Sequence, residues 1–170
     1  MILSDRDIRK CLNQGTIRIE PAPSADQISP CSIDLTLSDE FWKFRKGVKK
    51  IDLRTAKHED VLEKIRAKSI TLKPGEMILG KTLERITLPA DMCGRLDGRS
   101  RYARFGTAIH VSSSLVQAGS DNHQILEIVN LSPASIVLHA GMRVCQVMLM
   151  RISSPADRPY AKFGDIARTQ

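Results

Sequence analysis

Aromatic side chains are scarce in this chain: one Trp, two Tyr and four Phe make up 4% of its 170 residues. Proteins that bind single-stranded nucleic acid stack bases on such side chains, so their scarcity weighs against a nucleic-acid groove. Four cysteines, Cys11, Cys31, Cys93 and Cys145, form no C-x-x-C pair, and three of them sit among apolar neighbours as small core residues do. Reduced thiols in a cytoplasmic protein are the simplest reading. No segment approaches the roughly 18 continuous apolar residues of a membrane span, and MILSDRDIRK carries charges where a signal peptide has its apolar run, so no membrane partner is expected. Neither H-E-x-x-H nor H-x-E with P-C-x-x-C occurs, and His58, His110, His123 and His139 lack ligand spacing. No zinc and no other protein-bound catalytic metal is expected. There is no internal repeat, low-complexity tract or linker, which leaves one domain over 1–170.

Positive charge is in excess. Lys and Arg number 26 against 19 Asp and Glu, a net +7, which favours a partner carrying phosphate or another anion without saying whether it is a polymer or a nucleotide. Ser4, followed by Asp5 and Asp7, reads as a helix N-cap; Ile8 and Leu12 continue the pattern and Gly15 stops it. TIRIE and SIDLTL alternate with period two around the loop EPAPSADQISP. KHEDVLEKIRAKS, residues 57–69, has Val61, Leu62 and Ile65 at helical spacing and predicts one further helix. Beyond Ile70 the chain becomes β-prone runs (ITL, MILGKTLERITL, AIHVSSSLV, HQILEIVNL, SIVL, MRVCQVMLMRI) separated by turns such as KPGE, PADMCG, QAGSDN and HAG. A mainly β barrel or sandwich follows. The polar tail, residues 153–170, reads as an arm.

Gly75-Glu76-Met77-Ile78-Leu79-Gly80-Lys81-Thr82 matches the P-loop pattern G-x-x-x-x-G-K-[ST] letter for letter. Its wildcard positions are apolar and strand-forming, and Pro89 arrives before a helix develops, so a turn leading into a strand is the better reading. In HQILEIVNL, alternation puts Ile125, Glu127 and Val129 on one face and Leu126 and Ile128 on the other. With both faces apolar, the Glu127 carboxylate is expected to be shielded, which suits a general base or acid. The competing reading is an edge-strand Glu facing water. In LDGRSRYARFG, residues 96–106, three arginines and a serine lie between two glycines. Planar guanidinium forks and close backbone approach suit phosphate oxygens, although a solvated loop, an ion-paired loop and a nucleic-acid clamp remain alternatives. Lys43, Arg45, Lys46, Lys49 and Lys50 read as a solvated face or a second basic patch.

Taken in order, MILSDRDIRK, PCSIDLTLSDEFWKF, LKPGEMILGKTLERITLPADMCGRLDGRSRYARFG, ILEIVN, AGMRVCQVMLMRI and SSPADRPY resemble the dCTP deaminases of the dUTPase-like superfamily over nearly the whole chain. The resemblance implies a distorted dUTPase-like β barrel, a β-clip, assembled as a homotrimer with active sites between subunits. It implies zinc-independent hydrolytic deamination of dCTP to dUTP and ammonia, feeding thymidylate synthesis, with Mg2+ carried on the triphosphate. The nucleotides dCTP and dUTP are then the partners, with dTTP a candidate inhibitor and nucleic acid not expected.

By the same resemblance Glu127 takes a proton from the attacking water and passes protons to the ring and the departing ammonia. The G-R-S-S-x-x-R loop of the family falls on Gly98, Arg99, Ser100, Arg101 and Arg104, with Arg99 and Ser100 on phosphates and Arg104 beside Glu127 and the base. The HVT-like stretch, which works largely through backbone groups, falls on His110, Val111, Ser112 and Ser113. Ile125 and Leu126 flank the glutamate in the same substrate-binding strand, and Gln146 and Tyr160 match nucleotide contacts.

Three departures stand out. Val116-Gln117-Ala118-Gly119-Ser120 replaces I-D-P-G-aromatic, so the aspartate expected near the sugar hydroxyl is Gln117, which hydrogen-bonds but cannot act as a base. Arg101 replaces the second serine of the loop. The closing segment, K-Y-x-x-Q in relatives, is reduced to Arg168-Thr169-Gln170, with Arg168 in the place of the lysine as a phosphate contact and Gln170 near the glutamine, which predicts a short lid. Competing readings are a dUTP diphosphatase or a bifunctional dCTP deaminase/dUTPase, against which Gln117 counts, and a non-catalytic nucleotide-binding or regulatory homologue.

Overall fold

The structure is a computed structural model that describes residues 1–162. Helix α1 spans Asp5–Asn13; the Ser4 hydroxyl caps it by accepting from the Asp7 N–H, and Ile8 and Cys11 face inward. Short strands β1 (Arg18–Glu20) and β2 (Ile28–Ser29) lead into β3 (Ser32–Phe44), the longest strand among the described residues. The first half of β3 pairs antiparallel with a strand near the C-terminus, Arg143–Arg151, while its second half turns to other partners after a bulge between Leu37 and Phe41. One strand thereby serves two parts of a curled sheet, since a bulge bends the strand and strengthens its twist.

Helix α2 (His58–Val61) is a single turn, followed by β4 (Leu62–Arg66). The helix expected over 57–69 is therefore a correction. Alternate residues share a face in a strand, whereas residues two apart in a helix do not. As a strand, β4 sends both Lys64 and Arg66 to the Glu40 carboxylate of β3, at 2.9 and 2.6 Å, and buries Leu62. Tertiary pairing outweighs the weak helical preference of EDVLEKI.

Strand β5 (Ser69–Leu72) precedes the KPGE turn, and β6 (Met77–Thr87) follows it, so the P-loop letters do form a turn and a strand. Strand β7 spans Met92–Gly98 and takes in residues read from sequence as part of a turn: Met92 is buried and pairs with Arg151. Helix α3 (Ser100–Ala103) is one turn. The run AIHVSSSLV divides into β8 (Thr107–Ile109) and β9 (Leu115–Val116), because His110 adopts a left-handed φ of 55° and ends the extended conformation. Then come β10 (Asp121–Asn130), β11 (Ile136–His139) and β12 (Arg143–Arg151).

The main sheet runs β8-β10-β6-β3-β12-β7-β9, with β1, β2 and β4 attached at its sides and β5-β11 forming a separate pair. Its concave face closes on Ile33, Leu35, Leu37, Phe41, Leu126, Ile128 and Val147, all buried. Each such side chain contributes roughly 1.5–3 kcal/mol by leaving water. This is the mainly β, curled architecture anticipated from sequence, with α1 as the one helix longer than a single turn among the described residues. Among those residues, no helix is long and apolar enough to cross a membrane.

Candidate active site

Glu127 stands in the middle of β10, flanked by β6 through Leu79 and by β8 through the Ile109–Ile128 pair. The burial of β10 alternates strictly: Leu126 and Ile128 enter the core, whereas Ile125, Glu127 and Val129 lie on the other, partly open face. The two-face reading of the strand holds. The shielding of Glu127 comes from pairing and a cavity wall rather than from an apolar surround, and its side chain is 21% exposed.

His110 supplies the pairing. Its left-handed backbone directs its N–H to the Glu127 carbonyl at 2.9 Å, and its Nδ1 lies 3.0 Å from Glu127 Oε2. An ionised carboxylate only accepts hydrogen bonds, so Nδ1 is the donor towards it in this pair. The ring is 4% exposed, and Nε2 is buried with no partner among the described residues. An unsatisfied buried group of this kind costs about 1–3 kcal/mol, which a polar group entering the site would offset.

A cavity of about 370 Å³ opens in front of the pair. Of the residues named from the resemblance, Ser113, Gln117 and Tyr160 line it together with Glu127, His110 and Ile125. Sequence reasoning missed His58, Leu79, Asn122 and Gln124 in the same wall. Asn122 and Gln124 share the side of β10 that faces the core and are themselves buried, with Gln124 Nε2 donating to Asn122 Oδ1 at 2.8 Å. Period-two alternation flags them as buried polar residues, but nothing in the local sequence brings His58, more than fifty residues away, to the same place.

Tyr160 reaches the cavity because residues 152–162 fold back across the sheet end. Ala156 N–H donates to Ala90 O at 2.8 Å and Tyr160 N–H to Ala118 O at 2.9 Å, and the close approach of Pro159 is possible only because residue 119 is a glycine. Arg168 and Gln170 lie outside the described residues.

The arginine loop is elsewhere. Arg99 Nη2 is 3.0 Å from Asp34 Oδ2 and its Nη1 donates to Arg143 O, while Gln146 accepts from Ser32 Oγ at 2.8 Å, all on the β3-β12-β7 part of the sheet. Burial pushes the Asp34 carboxyl above its ordinary value, with the charges of Arg99 and Arg143 acting against it. Ser100 starts α3, Arg101 packs its guanidinium 5.4 Å from the Tyr102 ring, and Arg104 is exposed at the end of the turn. None of Arg99, Ser100, Arg101, Arg104 or Gln146 lines the Glu127 cavity; Val111 is exposed and Leu126 points into the core. The implied nucleotide contacts thus fall into two groups on one chain. Among the described residues, no group of three or more His, Cys, Asp or Glu is placed to hold a metal ion.

The chain is 39% identical over 167 residues to a "dCTP deaminase, dUMP-forming" of Dictyoglomus thermophilum, covering 95% of this chain and 86% of the relative. It is 39% identical over 171 residues to a "dCTP deaminase" of Rhodospirillum rubrum, covering 95% and 88%. Among solved structures, the 2'-deoxycytidine 5'-triphosphate deaminase of Agrobacterium tumefaciens superposes with a TM-score of 0.66 at 24% identity, over 87% of this chain and 47% of that one. A Staphylococcus bacteriophage 80alpha dUTPase does so with a TM-score of 0.56 at 14% identity, over 88% and 99%. These two likenesses concern the fold. With the profile of the dCTP deaminase-like family matching residues 2–152, the chain belongs to that family.

Proposed function

We propose that the protein is an enzyme that hydrolyses dCTP to dUTP and ammonia, with Glu127 as the proton carrier. The observation that carries this reading is the His110–Glu127 pair, a carboxylate held at 3.0 Å in the wall of a nucleoside-sized cavity. Water adds to C4 of the cytosine as Glu127 takes one of its protons and passes it to ring N3; Glu127 then takes the proton of the new C4 hydroxyl and passes it to the amino group, which leaves as ammonia while the C4 carbonyl forms. Substrate enters as its Mg2+ complex, the metal riding on the phosphates. His110 fixes the orientation of the carboxylate. The neutral amides and hydroxyls of Ser113, Gln117 and Gln124 supply hydrogen bonds without competing carboxylates.

A homotrimer completes the site in this reading. Arg99, Ser100 and Arg104 lie apart from their own chain's cavity, so a second copy is needed to bring phosphate contacts to Glu127. Phe105 and Leu131, 73% and 70% exposed and joined through the Leu131 N–H to Gly106 O bond, offer apolar surface beside that loop for such a contact.

Several relatives are dCTP deaminases named as "dUMP-forming", which favours a second reading, release of pyrophosphate after deamination. Gln117 opposes it, being unable to activate a water at the phosphate as a carboxylate would. Incubation with dCTP and Mg2+, followed by chromatography and ammonia detection, separates the outcomes. Ammonia with dUTP supports the first reading, ammonia with dUMP and pyrophosphate the second, and unchanged dCTP sinks both.

A further inference from the structure

The excess positive charge of this chain is concentrated in one segment. Between Lys43 and Lys57, the five cations of the basic cluster are joined by Arg54 and Lys57 and face a single acid, Asp52, so these residues carry six of the seven units of net positive charge. Asp52 does not neutralise them: its carboxylate accepts from the Arg54 backbone N–H at 3.0 Å and its carbonyl from Ala56 at 2.8 Å, which shapes a local turn. Elsewhere the acids Asp5, Asp26, Asp34, Glu40, Asp91 and Asp121 are matched to basic partners. Among the described residues, no ion pair engages Lys46, Lys49, Lys50 or Arg54, and all four are exposed.

The segment is rooted at the cavity. Lys64, Trp42, Leu79 and Glu127 occupy one cross-strand row of β4, β3, β6 and β10, and cross-strand partners point to the same face. At about 4.8 Å per strand, Trp42 lies about 10 Å from Glu127, and the chain leaves the sheet two residues later, after Phe44. Arg45 closes the excursion, its backbone N–H donating to Val61 O at 2.8 Å and its Nε to Glu59 O at 3.2 Å. The next residue inside that closure, His58, lines the cavity itself. The described cavity wall contains no Lys or Arg.

We propose that residues 43–57 form a cationic arm that captures the polyphosphate of the nucleotide at the mouth of the Glu127 cavity. The proposal rests on the deaminase reading and adds a selectivity to it. The arm holds unpaired charge and is anchored at both ends beside the cavity, at Trp42, within about one Debye length of Glu127 at 0.1 M salt, and at His58 in the wall itself, so it raises the local concentration of a triphosphate more than that of a monophosphate. Steering of this kind accelerates encounter by about 10- to 1000-fold at low salt and fades as salt rises.

The test compares the full-length protein with the variant Lys46→Gln/Lys49→Gln/Lys50→Gln/Arg54→Gln, whose altered side chains are exposed and whose melting temperature serves as the folding control. Calorimetric binding of Mg2+-dCTP and of dCMP is measured at low and high salt, alongside kcat and KM for dCTP. The arm predicts about a tenfold weaker dCTP affinity at low salt, a smaller loss for dCMP, a flatter salt dependence, and a change in KM rather than kcat. Wild-type affinity and salt slope in a folded variant overturn it. So does unaltered dCTP binding accompanied by lost affinity for a short single-stranded DNA, which would assign the arm to nucleic acid. A wild-type protein that binds dCTP without releasing ammonia defeats the deaminase reading while the binding arms still decide the capture role, and absence of dCTP binding defeats both.

Discussion

His110 and Glu127 are tied to each other twice, through the His110 N–H to the Glu127 carbonyl at 2.9 Å and through Nδ1 to Oε2 at 3.0 Å. The first bond lies where β8 ends, and the second fixes where the carboxylate points. Structure and chemistry at this position therefore depend on the same two residues.

Glu127→Gln preserves side-chain shape and a hydrogen bond to His110 while removing the proton carrier. Turnover of dCTP should fall by at least about 100- to 10,000-fold. Nucleotide binding and the melting temperature should be nearly unchanged. Retained ammonia release in a folded variant would remove Glu127 from its proposed role.

His110 is tested by two substitutions that separate backbone from ring. Asn tolerates the left-handed conformation that His110 adopts at φ 55°, whereas a β-branched Val resists it by about 1–2 kcal/mol. His110→Asn should remain folded and lose about 100-fold in kcat through misorientation of the carboxylate. His110→Val should show the same loss together with a melting point several degrees lower. Equal stability of the two variants would mean that the positive φ is not held by the residue type.

The two-group arrangement of the substrate contacts predicts complementation. Glu127→Gln and Arg104→Ala should each be nearly inactive alone, since one lacks the proton carrier and the other a cation placed by family resemblance near the base. Mixed after partial dissociation, they should regain a fraction of wild-type activity, because some sites then combine an intact Glu127 with another copy's intact Arg104. Native mass spectrometry verifies subunit exchange. An inactive mixture of exchanged oligomers would show that each chain builds its site alone.

Much of this arrangement is legible in the sequence because period-two alternation and turn residues are local signals. Strand β10, the face of Glu127, the KPGE turn and helix α1 all follow from residues within a few positions of one another. The error over 57–69 has a non-local cause, namely the Glu40 carboxylate 24 residues before Lys64, which rewards a strand that delivers alternate cations to it. His58 escapes detection for the same reason, since it reaches the cavity only through pairing of β4 with β3. The engagement of Arg99 by the buried Asp34 is equally invisible, because ILE and GRS strings carry no information about which acid lies across the sheet.

Glu40 also gives a pH signature. Arg66 first, then Lys64 and Lys81, hold its carboxyl well below the ordinary 4.5, at about 2, against the opposing effect of burial. A carboxyl depressed in the folded state contributes stability that is fully present above the unfolded value and is lost as pH falls toward the folded one. Glu40→Gln should thus melt a few degrees below wild type at pH 7, and the gap should close between about pH 4.5 and pH 2. An undiminished gap at pH 2.5 would trace the difference to packing instead of charge.

Gly119 decides whether the C-terminal segment can seat Tyr160 in the cavity. A Cβ at this position would lie 2.4 Å from Pro159 Cβ and 2.9 Å from Pro159 Cα, and the residue already holds φ at +75°. Neither contact can be relieved by rotating a flexible side chain, so Gly119→Ala should lift residues 156–162 and break the Tyr160 N–H to Ala118 O and Ala161 N–H to Gly119 O bonds. Beyond that clash, the left-handed conformation costs a non-glycine residue about 1–2 kcal/mol. The expected result is a several-fold rise in KM for dCTP with a smaller change in kcat, and faster proteolytic cleavage after Ile152. Combining Gly119→Ala with Pro159→Gly removes the Cβ–Cβ clash while leaving the φ strain, and should recover part of the KM. An unchanged KM in Gly119→Ala, with cleavage at the wild-type rate, would show that Tyr160 reaches the cavity without this close approach.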